Sequence, residues 1–169
     1  PTRPSSISNE PFNWLFLDMN SFFASAEQHL NPELRGRLVG VIPLESDSTC
    51  LIAASVEAKA AGLKMGTGVR EARQRFPEAV LIKARPEVYV RLHHRIRDSI
   101  ERWAPIHQAF SIDEWAIRLG KGQRDPESAR ELGRQIKAQV YSDFSPALKC
   151  SVGIAPTRLL AKIACELQK

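Results

Sequence analysis

The chain alternates short apolar runs with segments of helical periodicity, and these two patterns define its predicted elements. Residues 12–19 contain a continuous apolar run, typical of a strand that is buried on both faces. Helical spacing predicts two long helices, one over 86–103 and one that begins at Asp125-Pro126, an N-cap followed by proline. The apolar stripe of the first comprises Val88, Leu92, Ile96, Ile100 and Trp103. The other predicted strands cover 38–42, 51–54, 79–84 and 149–155, and the other predicted helices cover 21–30, 55–61, 69–76 and 157–169.

The order of these elements predicts the fold class. Two further strands flank Asp113-Glu114 and are expected to form a hairpin between the long helices. The resulting βαββαβ order, with short pieces inserted after the first strand, predicts an α+β fold. It corresponds to a ferredoxin-like antiparallel sheet with two long helices on one face and a small inserted module. The first strand and the hairpin lie side by side in such a sheet, which brings Asp18 close to Asp113.

Three carboxylates stand at the ends of these strands, Asp18 after the first and Asp113-Glu114 at the hairpin. Partly buried, mutually repelling carboxylates call for a cation, and oxygen ligands without suitably spaced Cys or His favour Mg²⁺ or Mn²⁺ over zinc. Adjacent residues of a regular strand point to opposite faces, so Asp113 and Glu114 share a site only if the hairpin turns or bulges there. A simpler alternative stays open: Asp18 caps the next helix, and Asp113-Glu114 is an ordinary turn.

Composition narrows the class of protein. The 169 residues are 43% hydrophobic and 25% charged, as in one globular domain or a core domain with one insertion, and the net charge of +5 is compatible with a polyanionic partner. Three widely spaced cysteines without a CxxC motif favour reduced thiols in the cytoplasm. The sequence has neither an apolar run approaching eighteen residues nor a secretory leader, so no membrane partner is expected. Residues 1–11 are polar and proline-rich and are expected to form a flexible tail.

Four segments closely resemble the motifs of the Y-family, or translesion, DNA polymerases, and they occur in the family's order. They are Asp18 to Glu27, Glu57 to Gly66, Ser111 to Glu114, and Val152 to Pro156 with Leu160 to Ala164. The second segment is most similar to the ImpB/MucB/SamB branch of bacterial SOS mutagenesis. The resemblance extends from about residue 15 to the C-terminus.

The resemblance implies a palm from residues 12–21 and 78–169 and a fingers module from residues 22–77, with the thumb and little finger absent from this chain. The implied function is an error-prone polymerase core that adds deoxynucleotides to a primer 3′-hydroxyl opposite damaged template by a two-metal mechanism. Primer–template DNA and dNTP are the implied partners, in a bacterial, nucleoid-associated setting. A sliding clamp or recombinase is a further implied partner through the missing regions. Without those regions the fragment is expected to bind DNA poorly and to be weakly active or inactive.

The resemblance also implies residue roles. Asp18, Asp113 and Glu114, with the main-chain carbonyl of Met19, are expected to hold two Mg²⁺ ions, for which Mn²⁺ can substitute. The main chain of Phe22 and Phe23, at a helix N-terminus, is expected to cradle the triphosphate. The four implied nucleotide-binding residues are Phe22, Phe23, Lys59 and Lys162. Among them, the two lysines are expected to reach the phosphates, and Phe23 matches the steric gate that excludes a 2′-hydroxyl.

Several positions depart from the family pattern. Ala53 and Val56 stand where many relatives carry Thr and Tyr, which weakens the expected hold on the triphosphate, and Asn20 replaces a common Asp that is not a direct metal ligand. His93 and His94 are interpreted as surface residues. Two alternatives stay open: a non-catalytic DNA- or partner-binding fragment of a repair protein, and a nucleotide cyclase on a similar palm, which the inserted module and the Phe23 gate disfavour.

Overall fold

The computed structural model describes residues 11–168. The predicted flexible tail therefore lies outside the described residues, apart from the exposed Pro11. The strands are β1 Trp14–Met19, β2 Val39–Ile42, β3 Ala53–Ala54, β4 Val80–Lys83, β5 Ile106–Ala109, β6 Glu114–Arg118 and β7 Cys150–Ala155. The α-helices are α1 Phe22–Leu30, α2 Val56–Ala60, α3 Val69–Arg75, α4 Pro86–Glu101, α5 Pro126–Asp143 and α6 Arg158–Glu166, and two short 3₁₀ turns cover Pro32–Leu34 and Lys121–Gln123.

The main sheet has the order β5-β6-β1-β7, and each neighbouring pair is antiparallel. This order confirms the ferredoxin-like α+β prediction. β1 lies between β6 and β7 and is covered on both faces, which explains the continuous apolar run from Trp14 to Leu17. Leu15, Leu17 and Met19 face the core shared with α4 and α5, whereas Phe16 faces a smaller cluster with α6. Asp18 follows the same alternation as Phe16 and therefore lies on the α6 side.

The two long helices pack on one face of the sheet, as predicted, and α6 covers the other. The contact between β7 and α6 is very close at Gly153. A Cβ atom added there would lie 2.0 Å from the carbonyl oxygen of Ala161 and 2.3 Å from the amide nitrogen of Cys165. Glycine at this position lets α6 approach the sheet closely, and this sets the position of every α6 side chain relative to β1.

A second, three-stranded sheet has the order β3-β2-β4, with β2 and β4 parallel. β2 and β3 come from the predicted fingers range and β4 from the predicted palm range. Helices α2 and α3 cover this sheet through a core cluster that includes Leu51, Leu63 and Phe76. The division between a palm (12–21 and 78–169) and fingers (22–77) stays a prediction, since the small sheet takes strands from both ranges.

Local sequence signals mark the starts of three helices. The Ser55, Asp125 and Thr157 side chains accept hydrogen bonds from the first turns of α2, α5 and α6. The predicted inward stripe of α4 needs one correction: Leu92, Ile96 and Ile100 are buried, but Trp103 lies beyond the helix and is 39% exposed. In the part of the chain that the structure describes, no helix combines the length and apolarity needed to cross a membrane.

Candidate active site

The register of the main sheet places two of the predicted acids opposite each other. Asp18, near the end of β1, pairs with Glu114, the first residue of β6. Directly opposed residues of antiparallel strands project from the same face, so both carboxylates lie on the α6 side of the sheet. Asp18 is 4% exposed and the Glu114 side chain is 15% exposed. Two largely desolvated carboxylates at this spacing favour a cation between them.

Asp113 belongs to the turn that precedes β6 rather than to the strand. Its carbonyl oxygen accepts a hydrogen bond from the Met19 N–H at 3.0 Å, and its Oδ1 accepts one from the Ser111 hydroxyl at 2.6 Å. The hairpin thus turns at the position where two adjacent acids must reach one site. The register shift of this hairpin lies elsewhere, between Ile106 and Gln108. Because Asp113 is outside the regular strand, the alternation of strand side chains does not separate it from Glu114.

A third acid, which the sequence analysis did not single out, lies beside this pair. Within residues 11–168, the acidic group whose oxygens fall within 4.8 Å of one another consists of Asp18, Glu114 and Glu166. Glu166 is the last residue of α6. Asp113 is not a member of that group but lines the same cavity as Asp18. The structure therefore brings Asp18 and Glu114 together with Glu166, from the helix that packs on Gly153, and places Asp113 at the neighbouring cavity.

Lys162 supplies a positive charge to this acidic group. Its Nζ donates to both oxygens of Glu114, at 2.9 and 3.0 Å, and lies 5.4 Å from the centroid of the Phe16 ring. Lys162 and Glu166 are one turn apart on α6, so both project toward the same part of the sheet. The Lys162 ammonium thus partly neutralises the acidic group through Glu114. Carboxylate oxygens are also the ligands that Mg²⁺ and Mn²⁺ prefer, so this donor set fits the predicted metals.

A cavity of about 510 Å³ opens next to the acids. Asp18 and Asp113 form one side, and the first turn of α1 forms another. Lys59, one of the two lysines expected to reach the phosphates, lines the cavity together with Lys64, which was not singled out as a site residue. An acidic side facing lysines and a helix N-terminus is suited to a ligand that carries phosphates at one end and a cation-dependent reacting centre at the other.

The start of α1 has an unusual backbone conformation that the sequence does not predict. Ser21 adopts a left-handed conformation, with φ 52° and ψ 42°, and its side chain makes no capping hydrogen bond to the helix. An isolated residue of this kind costs about 1 kcal/mol or more and is concentrated at functional sites. The first N–H groups of the helix, at Phe22 and Phe23, have no intrahelical acceptor and line the cavity with Ser21. Free N–H groups at a helix N-terminus are donors that an anion can accept from.

Phe23 lines the cavity and stacks on Tyr89 of α4, with ring centroids 4.4 Å apart and an interplanar angle of 15°. Of the two positions where family side chains are missing, Ala53 lines the cavity and Val56 lies outside it, 54% exposed. Asn20 accepts a hydrogen bond from the Ser151 hydroxyl at 3.0 Å and lines a different cavity.

The interpretation of His93 as a surface residue is wrong. Its side chain is half-buried, its Nδ1 lies 2.7 Å from the carbonyl oxygen of Ile112, and its ring stacks on Trp115 with centroids 5.0 Å apart. Because a carbonyl oxygen only accepts, Nδ1 carries the proton in this hydrogen bond. His93 therefore braces the turn that carries Asp113. His94 is exposed, as predicted. Sequence reasoning missed His93 because the helical spacing does not show what the next hairpin packs against.

Known proteins are similar to this chain in sequence and in fold. A model of the impB/mucB/samB family matches residues 17–166. The chain is 40% identical over 158 residues to DNA polymerase IV of Moorella thermoacetica and 38% identical over 157 residues to DNA polymerase IV of Pelotomaculum thermopropionicum. Each alignment covers 92% of this chain, but 39% and 38% of those proteins. The chain thus spans about two fifths of the length of these curated relatives.

Solved structures of similar proteins have the same fold over the matched region. DinB from Sulfolobus solfataricus superposes with a TM-score of 0.83 at 29% sequence identity, over 92% of this chain and 46% of that one. An insertion ternary complex of Dbh DNA polymerase gives the same TM-score, identity and coverage. The similarity covers both sheets, because the matched region includes nearly all the described residues.

Proposed function

The chain belongs to the impB/mucB/samB family, and we propose that it is the palm and fingers portion of an error-prone translesion DNA polymerase. Its reaction is the addition of a deoxynucleotide to a primer 3′-hydroxyl opposite damaged template. One observation carries the proposal: Asp18 faces Glu114 across β1 and β6, and the Met19 N–H holds the Asp113 carbonyl, beside a cavity lined by lysines. DNA polymerase IV relatives and a polymerase ternary complex support the same assignment.

Asp18, Asp113 and Glu114, with the main-chain carbonyl of Met19, are the residues we propose to hold two Mg²⁺ ions. When bound, such ions act as Lewis acids that favour the ionised 3′-hydroxyl and offset the charge on the transferred phosphoryl group and the leaving pyrophosphate. The protein's part is to fix the carboxylates before substrate arrives. The sheet register fixes Asp18 and Glu114, and the hydrogen bonds of the turn fix the backbone and side chain of Asp113.

The other residues bind and orient the nucleotide. The free N–H groups of Phe22 and Phe23 donate hydrogen bonds to the triphosphate oxygens. Lys59 and Lys64 add positive charge from the small sheet's side of the cavity. Lys162 exchanges its hydrogen bonds with Glu114 for contacts with the phosphates. Phe23 lies under the sugar and leaves no room for a 2′-hydroxyl. These contacts depend on the charge of the triphosphate and on the shape of the sugar.

The test is single-nucleotide primer extension by the complete gene product with Mg²⁺. Asp18→Asn keeps the size of the side chain but removes its charge, and we expect incorporation to fall by at least about 100-fold, because the loss of groups that only support metal ligands already costs 10- to 100-fold. Asp125→Asn is the matched control, since asparagine caps a helix as well as aspartate does. Full activity of Asp18→Asn refutes the assigned role. DNA binding without Mg²⁺-dependent incorporation by the unmodified protein supports a DNA-binding module instead.

A further inference from the structure

A buried carboxylate lies close to the cavity but outside the acidic group that the proposed function uses. Glu27, on α1, is 2% exposed. Its Oε1 accepts hydrogen bonds from the Tyr89 hydroxyl at 2.8 Å and from Arg85 Nε at 3.1 Å, and its Oε2 is paired with Arg85 Nη2. A carboxylate this deeply buried is stable only with such partners, and the two-pronged contact with the guanidinium fixes the plane of the carboxylate.

The fixed carboxylate in turn fixes an aromatic ring. Tyr89 is 1% exposed and stacks on Phe23, so one ring of α4 lies directly against the proposed sugar gate. Stacking holds two rings face to face but resists sliding within the plane only weakly. The hydroxyl at the far end of Tyr89 removes that freedom because it is bonded to Glu27. Burial, and to a smaller extent the hydrogen bond to Glu27, raises the pKa of the Tyr89 hydroxyl. The hydroxyl therefore stays protonated and acts as a neutral donor.

The contacts form a closed circuit. Phe23 and Glu27 are four residues apart on α1 and therefore lie on one face of the helix, one turn from each other. Tyr89 contacts both of them, through its ring and through its hydroxyl. Arg85, one turn before Tyr89 at the start of α4, closes the arrangement from outside. Contacts within α1 and with α4 thus together fix how far the Phe23 side chain extends into the cavity.

We propose that Glu27, Arg85 and Tyr89 are positioning residues that hold Phe23 at the depth needed to reject ribonucleoside triphosphates. The inference rests on the proposed function, because it takes Phe23 as the residue under the sugar. It extends that function by assigning sugar selectivity to a buried carboxylate and its two partners, none of which contacts substrate or metal. A gate that is free to recede by a fraction of an ångström admits a 2′-hydroxyl without preventing insertion of a deoxynucleotide.

The experiment measures kcat/KM for dCTP and for CTP opposite template guanine, with the complete gene product. The reported ratio is the value for CTP divided by the value for dCTP. Tyr89→Phe removes only the hydroxyl, and we expect it to raise relative CTP insertion about three- to tenfold, the equivalent of one hydrogen bond, while dCTP insertion changes less than about twofold. Tyr89→Leu also removes the stack and is expected to raise the ratio further. Tyr141→Phe, at a 56% exposed tyrosine, is the matched control and leaves the ratio unchanged.

A purely structural role for Tyr89 lowers insertion of both nucleotides together and leaves their ratio as it was, which overturns the proposal. If Tyr89→Leu does not fold, Tyr89→Phe and Arg85→Lys, which keeps the charge but loses the two-pronged contact, carry the test. Phe23→Ala separates the two levels of the argument. If it relaxes selectivity and the Tyr89 and Arg85 variants do not, the positioning role is wrong and the polymerase assignment stands. If Phe23→Ala leaves selectivity unchanged, the gate itself is wrong.

Discussion

The hydrogen bonds between Lys162 and Glu114 lead to a prediction about Mn²⁺ affinity. Removing the lysine charge should tighten Mn²⁺ binding if the lysine and the metal share Glu114, and should not tighten it otherwise. If Glu114 contributes to a cation site, the Lys162 ammonium competes for the carboxylate whenever no nucleotide is bound. Lys162→Gln removes the charge and nearly preserves the length of the side chain. We therefore expect the variant to bind Mn²⁺ more tightly than the unmodified protein in the absence of nucleotide, although it binds the nucleotide less well.

The size of the effect follows from the geometry. Two unit charges about 4 Å apart attract by about 4 kcal/mol at an effective dielectric constant of about 20. The Lys162 side chain is 42% exposed, however, and solvent screening reduces the net contribution of such a pair to about 1 kcal/mol. Removing the competitor should then tighten Mn²⁺ binding about fivefold. The contacts of 2.9 and 3.0 Å to both carboxylate oxygens justify the upper part of the range for exposed pairs.

The assay is a Mn²⁺ titration followed by electron paramagnetic resonance of the free ion, with the dNTP affinity measured separately. Lys121→Gln is the control, because Lys121 follows the end of β6 that is distant from Glu114. Unchanged or weaker Mn²⁺ binding by Lys162→Gln refutes the idea that the lysine and the metal share Glu114. Tighter Mn²⁺ binding by both variants indicates a non-specific charge effect and refutes it as well.

Three further predictions concern the scaffold. Gly153→Ala should destabilise the protein by about 3 kcal/mol or more in urea unfolding, because its Cβ meets backbone atoms of α6, whereas Gly122→Ala, with open space around it, should not. His93→Ala should slow incorporation and cost about 1–2 kcal/mol of stability, measured by primer extension and thermal unfolding, since it frees a loop carbonyl. Burial raises the pKa of Cys150 to about 12, so iodoacetamide at pH 8 should modify the exposed Cys50 at least about 100-fold faster, as read by peptide mass spectrometry.

The local parts of the fold could be predicted because their signals lie within a few residues. The run before Asp18 identified a buried strand, and Asp125-Pro126 marked the start of α5. The order of elements was enough to place β1 next to the hairpin, since few topologies satisfy it. The same reasoning gave a condition, that Asp113 and Glu114 share one site only if the hairpin turns or bulges there, and Asp113 lies in the turn before β6.

The parts that escaped prediction depend on contacts between distant elements. Glu166 enters the acidic group because α6 crosses the sheet at Gly153, and no periodicity within α6 specifies where on the sheet it lies. The pairing of β4 with β2 is a non-local parallel contact of the same kind. His93 looked like a surface residue because a half-buried position at the margin of a helical stripe is recognisable only once its neighbour, Ile112, is known.

The central claim, that the end of β1 and the acidic hairpin form one divalent cation site, is tested most directly by locating Mn²⁺. Crystals of the complete gene product with primer–template DNA, a non-hydrolysable dNTP and Mn²⁺ provide anomalous difference maps that identify the metal by its own scattering. The account predicts peaks within coordination distance of the Asp18, Asp113 and Glu114 carboxylates, with Lys162 withdrawn from Glu114. Anomalous peaks located away from these carboxylates, with Lys162 still bonded to Glu114, contradict it.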